Sequence, residues 1–165
     1  GTIYLLFHNL DDVILHVNAR TLDRLHTPMA EAAHGHSRPI NRLQKVARAY
    51  VDFAAADPNL WRLCFEHRLP EDMAGPAWLD DRIQGLVALV MPPLREAAPA
   101  ADEKTLMIAA QSLWSGVHGI CILSLTHKLA MLGEQSTEQL TDALVTHYIT
   151  GLAAGGLMSA DGPSS

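Results

Sequence analysis

From Thr105 to Thr126 the chain runs for 22 residues without an aspartate, glutamate, lysine or arginine. As an α-helix such a stretch is about 30 Å long, enough to cross a bilayer. It must therefore enter a membrane or lie against other protein. Gln111, Ser112, Ser115, His118 and Ser124 interrupt the apolar run, together with Gly116 and Gly119, and no basic cluster flanks only one end. The segment reads as a helix packed inside a protein, with no membrane partner. A helix this apolar needs other helices around it.

The remaining sequence supplies them, and the chain reads as all-α. β-branched residues never alternate with polar ones over a useful length, and no hairpin signal such as Asn-Gly occurs. Asp11 and Asp12 open a long helix, where carboxylates suit the positive helix terminus. It carries Val13, Ile14, Val17, Leu22 and Leu25 and extends to about Ala33. His34 to Ser37 is a loop. Pro39 starts a second helix, with Leu43, Val46, Ala47, Tyr50 and Ala54 at three- and four-residue spacing. Asp57-Pro58 places an N-cap before a proline in the first helical position, and a short helix from Leu60 to Arg68 should follow. Pro76 opens a fourth helix, which Pro92-Pro93 should kink or end. Asp102 caps the uncharged helix, expected to reach about Leu132 and stop at Gly133. Ser136 with Gln139 forms a capping box for a last helix carrying Leu140, Leu144, Tyr148 and Leu152. Ala160 to Ser165 is a polar tail.

Charge and composition exclude several functions. The chain has 165 residues and a net charge of −6, the wrong sign for a stand-alone nucleic-acid binder. It suits an effector or dimerisation domain whose basic partner lies elsewhere. Cys64 and Cys121 both sit in apolar helical stretches, so no disulfide framework is indicated and a reducing, cytoplasmic setting is expected. No nucleophile elbow, phosphate loop or glycine-rich nucleotide fingerprint occurs, so neither an enzyme nor a bound cofactor is expected. Asp80 and Asp81 are adjacent and diverge by about 100° on a helix, which makes a solvated face of them. His34 and His36 lack a neighbouring cysteine or carboxylate apart from Glu31, so no metal site is expected.

The uncharged helix has two unlike faces. Ser112, Gly116 and Gly119 share one narrow stripe, and small residues there let another helix approach closely. The expectation is that this stripe meets a second subunit, so that leucine at Gly116 disrupts dimers. Trp114, His118, Cys121 and Leu125 lie on the opposite side and face the interior. Together with Trp61, Cys64, Phe65, Met73, Trp78, Ile83, Val87 and Met91, Trp114 and His118 could line a mostly apolar pocket. For any one of them, ordinary core is the plainer reading.

Three short segments carry a family resemblance. Gly1-Thr2-x-Tyr4-x-x-Phe7, followed by Asn9-Leu10-Asp11-Asp12-Val13-Ile14, resembles the recognition-helix ending of TetR-type (TetR/AcrR) transcriptional regulators. Leu113-Trp114-x-x-x-His118-Gly119 is similar to a Trp-x-x-x-His-Gly motif in the C-terminal domain of one subgroup. Residues 57–65, from Asp57 to Phe65, resemble the same subgroup's proline-started helix. The resemblance implies a dimeric, ligand-responsive regulator, a repressor released by a small apolar effector. In that reading residues 1–10 end a helix-turn-helix reader whose upstream part is missing. Residues 11–33 form a connecting helix, and residues 34–159 form the ligand-binding and dimerisation domain. Thr2, Tyr4 and His8 would contact double-stranded operator DNA. The last two long helices would build a four-helix bundle between subunits through Ser112, Gly116, Gly119, Leu123, Leu140, Leu144 and Tyr148. One departure stands out, because the family's usual phosphate-contacting lysine after the recognition helix is replaced by Leu10. Two other readings remain open, a small-molecule-binding helical module with no DNA role and an enzyme using His118.

Overall fold

The computed structural model describes residues 10–35, 37–67 and 75–160, the side chains of 156–160 excepted. Among these residues it is all-helical. The elements are α1 (Leu10–Ala33), α2 (Pro39–Ala56), α3 (Pro58–Glu66), α4 (Ala77–Ala97), α5 (Glu103–Leu125), a single 3-10 turn (Leu129–Met131) and α6 (Thr137–Ala160).

The uncharged helix α5 is not the centre of the fold. That position belongs to α2, which touches each of the other five helices. Its apolar stripe of Leu43, Val46, Ala47, Tyr50 and Ala54 is buried on one side. Its polar side is tied to α6, where Arg48 makes a two-pronged bond to Asp142 and an ion pair with Glu138, and Gln44 donates to Thr146. Ion pairs this exposed are worth well under 1 kcal/mol each, so they fix the register of α6 on α2 more than they stabilise it. Stability comes from the shared core, in which Leu25, Leu43, Tyr50, Ala54, Trp61, Leu94, Ala109, Val145 and Ile149 are all buried.

Helix boundaries follow capping chemistry. The Asp102 carboxylate accepts from the Thr105 backbone N–H, and Ser136 and Gln139 exchange reciprocal side-chain-to-backbone bonds as a capping box. Asp57 occupies the N-cap of α3 but makes no capping bond, because its carboxylate is drawn to Arg24 of α1 instead.

Two expectations about helix ends need correction. Helix α4 does not stop at Pro92-Pro93 but continues to Ala97. The two prolines forfeit backbone donors, yet Met91, Pro93 and Leu94 are buried in the core, and that packing holds the turn together. Helix α5 ends at Leu125, well before Gly133. The Lys128 N–H bonds Leu123 O and the His127 N–H bonds Ser124 O, closing the helix with His127 at a φ of 57°. Histidine takes the left-handed position that glycine usually fills in such a cap. The apolar residues beyond Leu125 do not extend the helix: Met131, at the end of the 3-10 turn, and Leu132 after it lie exposed.

Among the described residues, α5 is the one helix long and apolar enough to cross a membrane. Its inner stripe (Leu106, Ala109, Ala110, Leu113, Val117 and Cys121) is buried against the other helices. Ile108 and Ile122 are exposed on its outer side, so the expectation of a helix enclosed by protein holds for one face only.

Candidate functional site

Three helices deliver five rings to one place. Tyr50 comes from the buried stripe of α2. Trp61 and Phe65 are four residues apart on α3, as are Trp114 and His118 on α5, so each pair shares a helix face. His118 sits in the middle. Its ring centroid is 4.7 Å from that of Trp61, at an interplanar angle of 30°, 5.3 Å from Trp114 and 5.4 Å from Phe65, which meets it edge-on. Tyr50 closes the group, edge-on to Trp61 at 6.3 Å. Such pairs contribute about 0.5–1.5 kcal/mol each beyond the area they bury.

Polar atoms inside the cluster converge. Tyr50 Oη lies 2.8 Å from His118 Nδ1. With the imidazole neutral and its proton on Nε2, the hydroxyl donates to Nδ1. Burial drives the Tyr50 hydroxyl far above the usual phenol range, against a smaller opposing pull from the Trp61 and Trp114 N–H groups. Burial also lowers the His118 pKa, partly countered by the Glu66 carboxylate. Trp61 is 0% exposed and its Nε1 has no hydrogen-bond partner, so its N–H faces the Tyr50 oxygen without reaching it in bonding geometry. Trp114 is 48% exposed and forms the rim. Cys64 and Cys121 lie close to Tyr50 as free thiols, each pushed up to about 12 by burial. Neither is a ready nucleophile at neutral pH.

A pH dependence follows. The folded pKa of His118 lies below its ordinary 6.5, so below that pH the unfolded chain binds more protons at this position than the folded one. Stability from this residue is present above pH 6.5 and is lost as the pH falls through the lower folded value. Chemical denaturation at pH 7 and pH 5 should show a larger loss in the wild type than in His118→Gln. An equal loss would mean that His118 is not held neutral.

The second feature is the outer surface of α5 and α6, on the side away from α2. From α5 it presents Ile108, Ser112, Ser115, Gly119 and Ile122, and from α6 it presents His147, Thr150, Gly151 and Ala154. None of these carries a carboxylate, lysine or arginine. A Cβ built on Gly119 or Gly151 meets nothing within 4 Å. Gly116 is different. A Cβ there would come within 2.6 Å of a Leu144 methyl, so this glycine lets α5 and α6 approach inside one chain.

Residues 43–148 match the family described as Tetracyclin repressor-like, C-terminal domain. The chain belongs to this family. Membership makes it a domain of the ligand-binding regulator kind. A solved structure of a protein with unknown function from Rhodococcus sp. RHA1 shares the fold. Its TM-score is 0.74 at 20% identity, over 89% of this chain and 75% of that one. No curated protein matches.

Within this Tetracyclin repressor-like domain the expected pocket residues scatter. Trp61, Phe65, Trp114 and His118 come together. Cys64 turns toward Asn18 of α1, its thiol 4.0 Å from the Asn18 carbonyl oxygen. Trp78 pairs with His16 at the start of α1, at 5.3 Å. Ile83 is exposed, Val87 packs at the core margin and Met91 is core. The four that meet form a packed cluster, and two open cavities lie elsewhere. One, of about 530 Å³, is an open depression between α1 and α3 lined by Val17, Arg20, Thr21, Asp23, Arg24 and Leu60. The other, of about 290 Å³, lies between α2, α5 and the start of α6, with Asp52, Cys121, Ser124 and Glu138 in its wall.

Of the expected interface residues, Ser112 and Gly119 face outward, while Leu123, Leu140 and Tyr148 are half-buried. Gly116 and Leu144 meet each other within the chain, which gives Gly116 a packing role inside the subunit. Met73 and the expected DNA-contacting residues Thr2, Tyr4 and His8 lie outside the described residues, as does His36. Among the described residues no three His, Cys, Asp or Glu side chains gather as a metal set.

Sequence reasoning did not single out Tyr50 as a member of the cluster. It was visible only as one apolar position in the α2 stripe, and nothing local signals that its hydroxyl reaches an imidazole 68 residues away.

Proposed function

We propose that this chain is the effector-sensing and dimerising part of a transcription regulator, a repressor that leaves its operator when a small apolar compound binds. The observation that carries the reading is the uncharged outer face of α5 and α6. Two adjacent helices present small and apolar side chains to the outside, and a second copy meeting them would complete a four-helix bundle. Two copies joined there would hold two readers at a fixed separation, as a palindromic operator requires.

In this reading residues 1–10 end the reader, with Thr2, Tyr4 and His8 touching the DNA backbone. Residues 11–33 connect it to residues 34–159, which hold the effector, and 160–165 are a tail. Helix α1 is the lever. The aromatic cluster is its counterpart on the sensing side, since α3 packs against α1 and carries Trp61 and Phe65. The Asp11 carboxylate lies 3.3 Å from His67 Nε2, which sets the first turn of α1 against the end of α3. A compound that displaces α3 would therefore pull on α1, and it can bias DNA binding only by preferring one of the two arrangements. Trp114, His118 and Gly119 would place the chain in the subgroup carrying the Trp-x-x-x-His-Gly motif. The work is binding, not catalysis, and its setting is cytoplasmic.

A gel-shift assay tests this with the full-length protein and the DNA upstream of its own gene. Retardation that weakens as salt rises, and weakens again with an apolar effector, is expected. Absence of any retarded band would leave a ligand-binding module with no DNA role.

A further inference from the structure

Helix α6 carries no aspartate, glutamate, lysine or arginine from Ala143 to Ala160, just as α5 carries none from Thr105 to Thr126. In the outer surface the two helices share stands one group that titrates near neutral pH, the imidazole of His147. It is exposed and makes no hydrogen bond or ion pair with the described residues. Gly151 lies one turn further along the same helix face, and a Cβ built there or on Gly119 meets nothing within 4 Å. Side chains at a helix contact set the distance between the axes, so a second copy can come close here. Such an approach strips water from His147.

No counter-charge waits for it. On its own helix Glu138 and Asp142 are bonded to Arg48 of α2. Asp52 of α2 lies beside Glu138 at the start of α6. Glu96 of α4 is bonded to Arg42, and Glu103, at the start of α5, to Arg95 of α4. Lys45 of α2 and Lys104 of α5 would add only like charge. His118 of α5 is turned into the aromatic cluster. A two-fold interface sets the same patch against itself, so a second copy brings no carboxylate either.

We propose that acid separates the paired subunits, because protonation of His147 puts a positive charge without a counter-charge into the interface that α5 and α6 form with a second copy. This rests on the paired-subunit reading above and gives that interface its regulation. An ion buried without a partner is costly, whereas the separated subunit keeps His147 in water. The monomer therefore binds more protons than the dimer, and pairing is full at pH 7.5 and lost as the pH falls to 5.5. With two such imidazoles in each dimer, the weakening should be about ten- to hundredfold. Operator binding would loosen with it, since a palindrome needs both readers.

Sedimentation equilibrium of the full-length protein at pH 7.5 and pH 5.5 reads this directly. The wild type should pair about ten- to hundredfold more weakly at the lower pH. His147→Gln, neutral at both, should change by less than about threefold, and His147→Leu serves as a second neutral replacement should the first fail to pair. His118 is present in all three proteins, so its own response to acid cancels from the comparison. Equal pairing of the wild type at both pH values overturns the inference and leaves the paired-subunit reading intact. Equal weakening of the wild type and a neutral variant overturns it too, because acid then acts elsewhere. A wild type that is monomeric at pH 7.5 removes the paired-subunit reading and this inference together.

Discussion

Where two copies pair as proposed, Gly119→Arg should turn that dimer into a folded monomer. A side chain at this position meets no atom of its own chain, since nothing lies within 4 Å of a Cβ built there. Arginine is also a better helix former than glycine by about 1 kcal/mol, so the isolated subunit should be at least as stable as before. At the centre of a helix-on-helix interface the same guanidinium would be buried without a counter-charge, because the outer face of α5 and α6 carries no carboxylate among Ile108, Ser112, Ser115, Ile122, Thr150, Gly151 and Ala154. An unpaired buried charge costs several kcal/mol, which corresponds to a hundredfold or greater weakening of the dimer. Sedimentation should give half the wild-type mass, and thermal unfolding should stay close to wild type. Operator binding should be lost in parallel, since one reader grips only half a palindrome. A Gly119→Arg protein that remains dimeric would remove the paired-subunit reading. Gly116→Leu cannot make this distinction, because its side chain collides first with Leu144 of the same subunit.

The contrast between these glycines shows what the sequence could and could not say. Periodicity correctly placed Ser112, Gly116 and Gly119 on one side of a helix. It could not say where the neighbouring helix begins and ends around that side. The stripe turns out to be divided, with Gly116 under α6 and Ser112 and Gly119 beyond it. The reciprocal capping of Ser136 and Gln139 was legible because both partners are local. The end of α5 was not, because its cap uses a left-handed histidine that no composition rule marks. The aromatic cluster was half legible. The four-residue spacings on α3 and α5 paired Trp61 with Phe65 and Trp114 with His118, but only the fold shows α2 inserting Tyr50 between them. Trp78 and Ile83, expected beside them, stand apart from the cluster for the same reason. Their helix is apolar at the right positions, yet its first turns lean on α1, where Arg82 pairs with Asp23 and Trp78 with His16.

Trp61→Ala should destabilise the domain by about 3–5 kcal/mol, the cost of emptying a large aromatic site in a core that cannot collapse around it. Trp114→Ala should cost less, about 1–3 kcal/mol, although the two tryptophans flank the same imidazole. Burial makes the difference, since Trp61 is 0% exposed and Trp114 is 48% exposed. Trp61 touches Tyr50, Phe65 and His118 from below, so its loss removes the floor on which the other rings rest. Against a total stability of about 5–15 kcal/mol, the first substitution brings the domain near its unfolding threshold. Urea denaturation of the two variants measures both values directly. The pair also separates structure from sensing. Trp114 contributes less to the fold than Trp61, so a loss of effector response in Trp114→Ala that exceeds its loss of stability belongs to the binding site and not to a weakened core. Were the two substitutions to cost the same, the cluster would be uniformly part of the core, and Trp114 would have no freedom to admit a ligand.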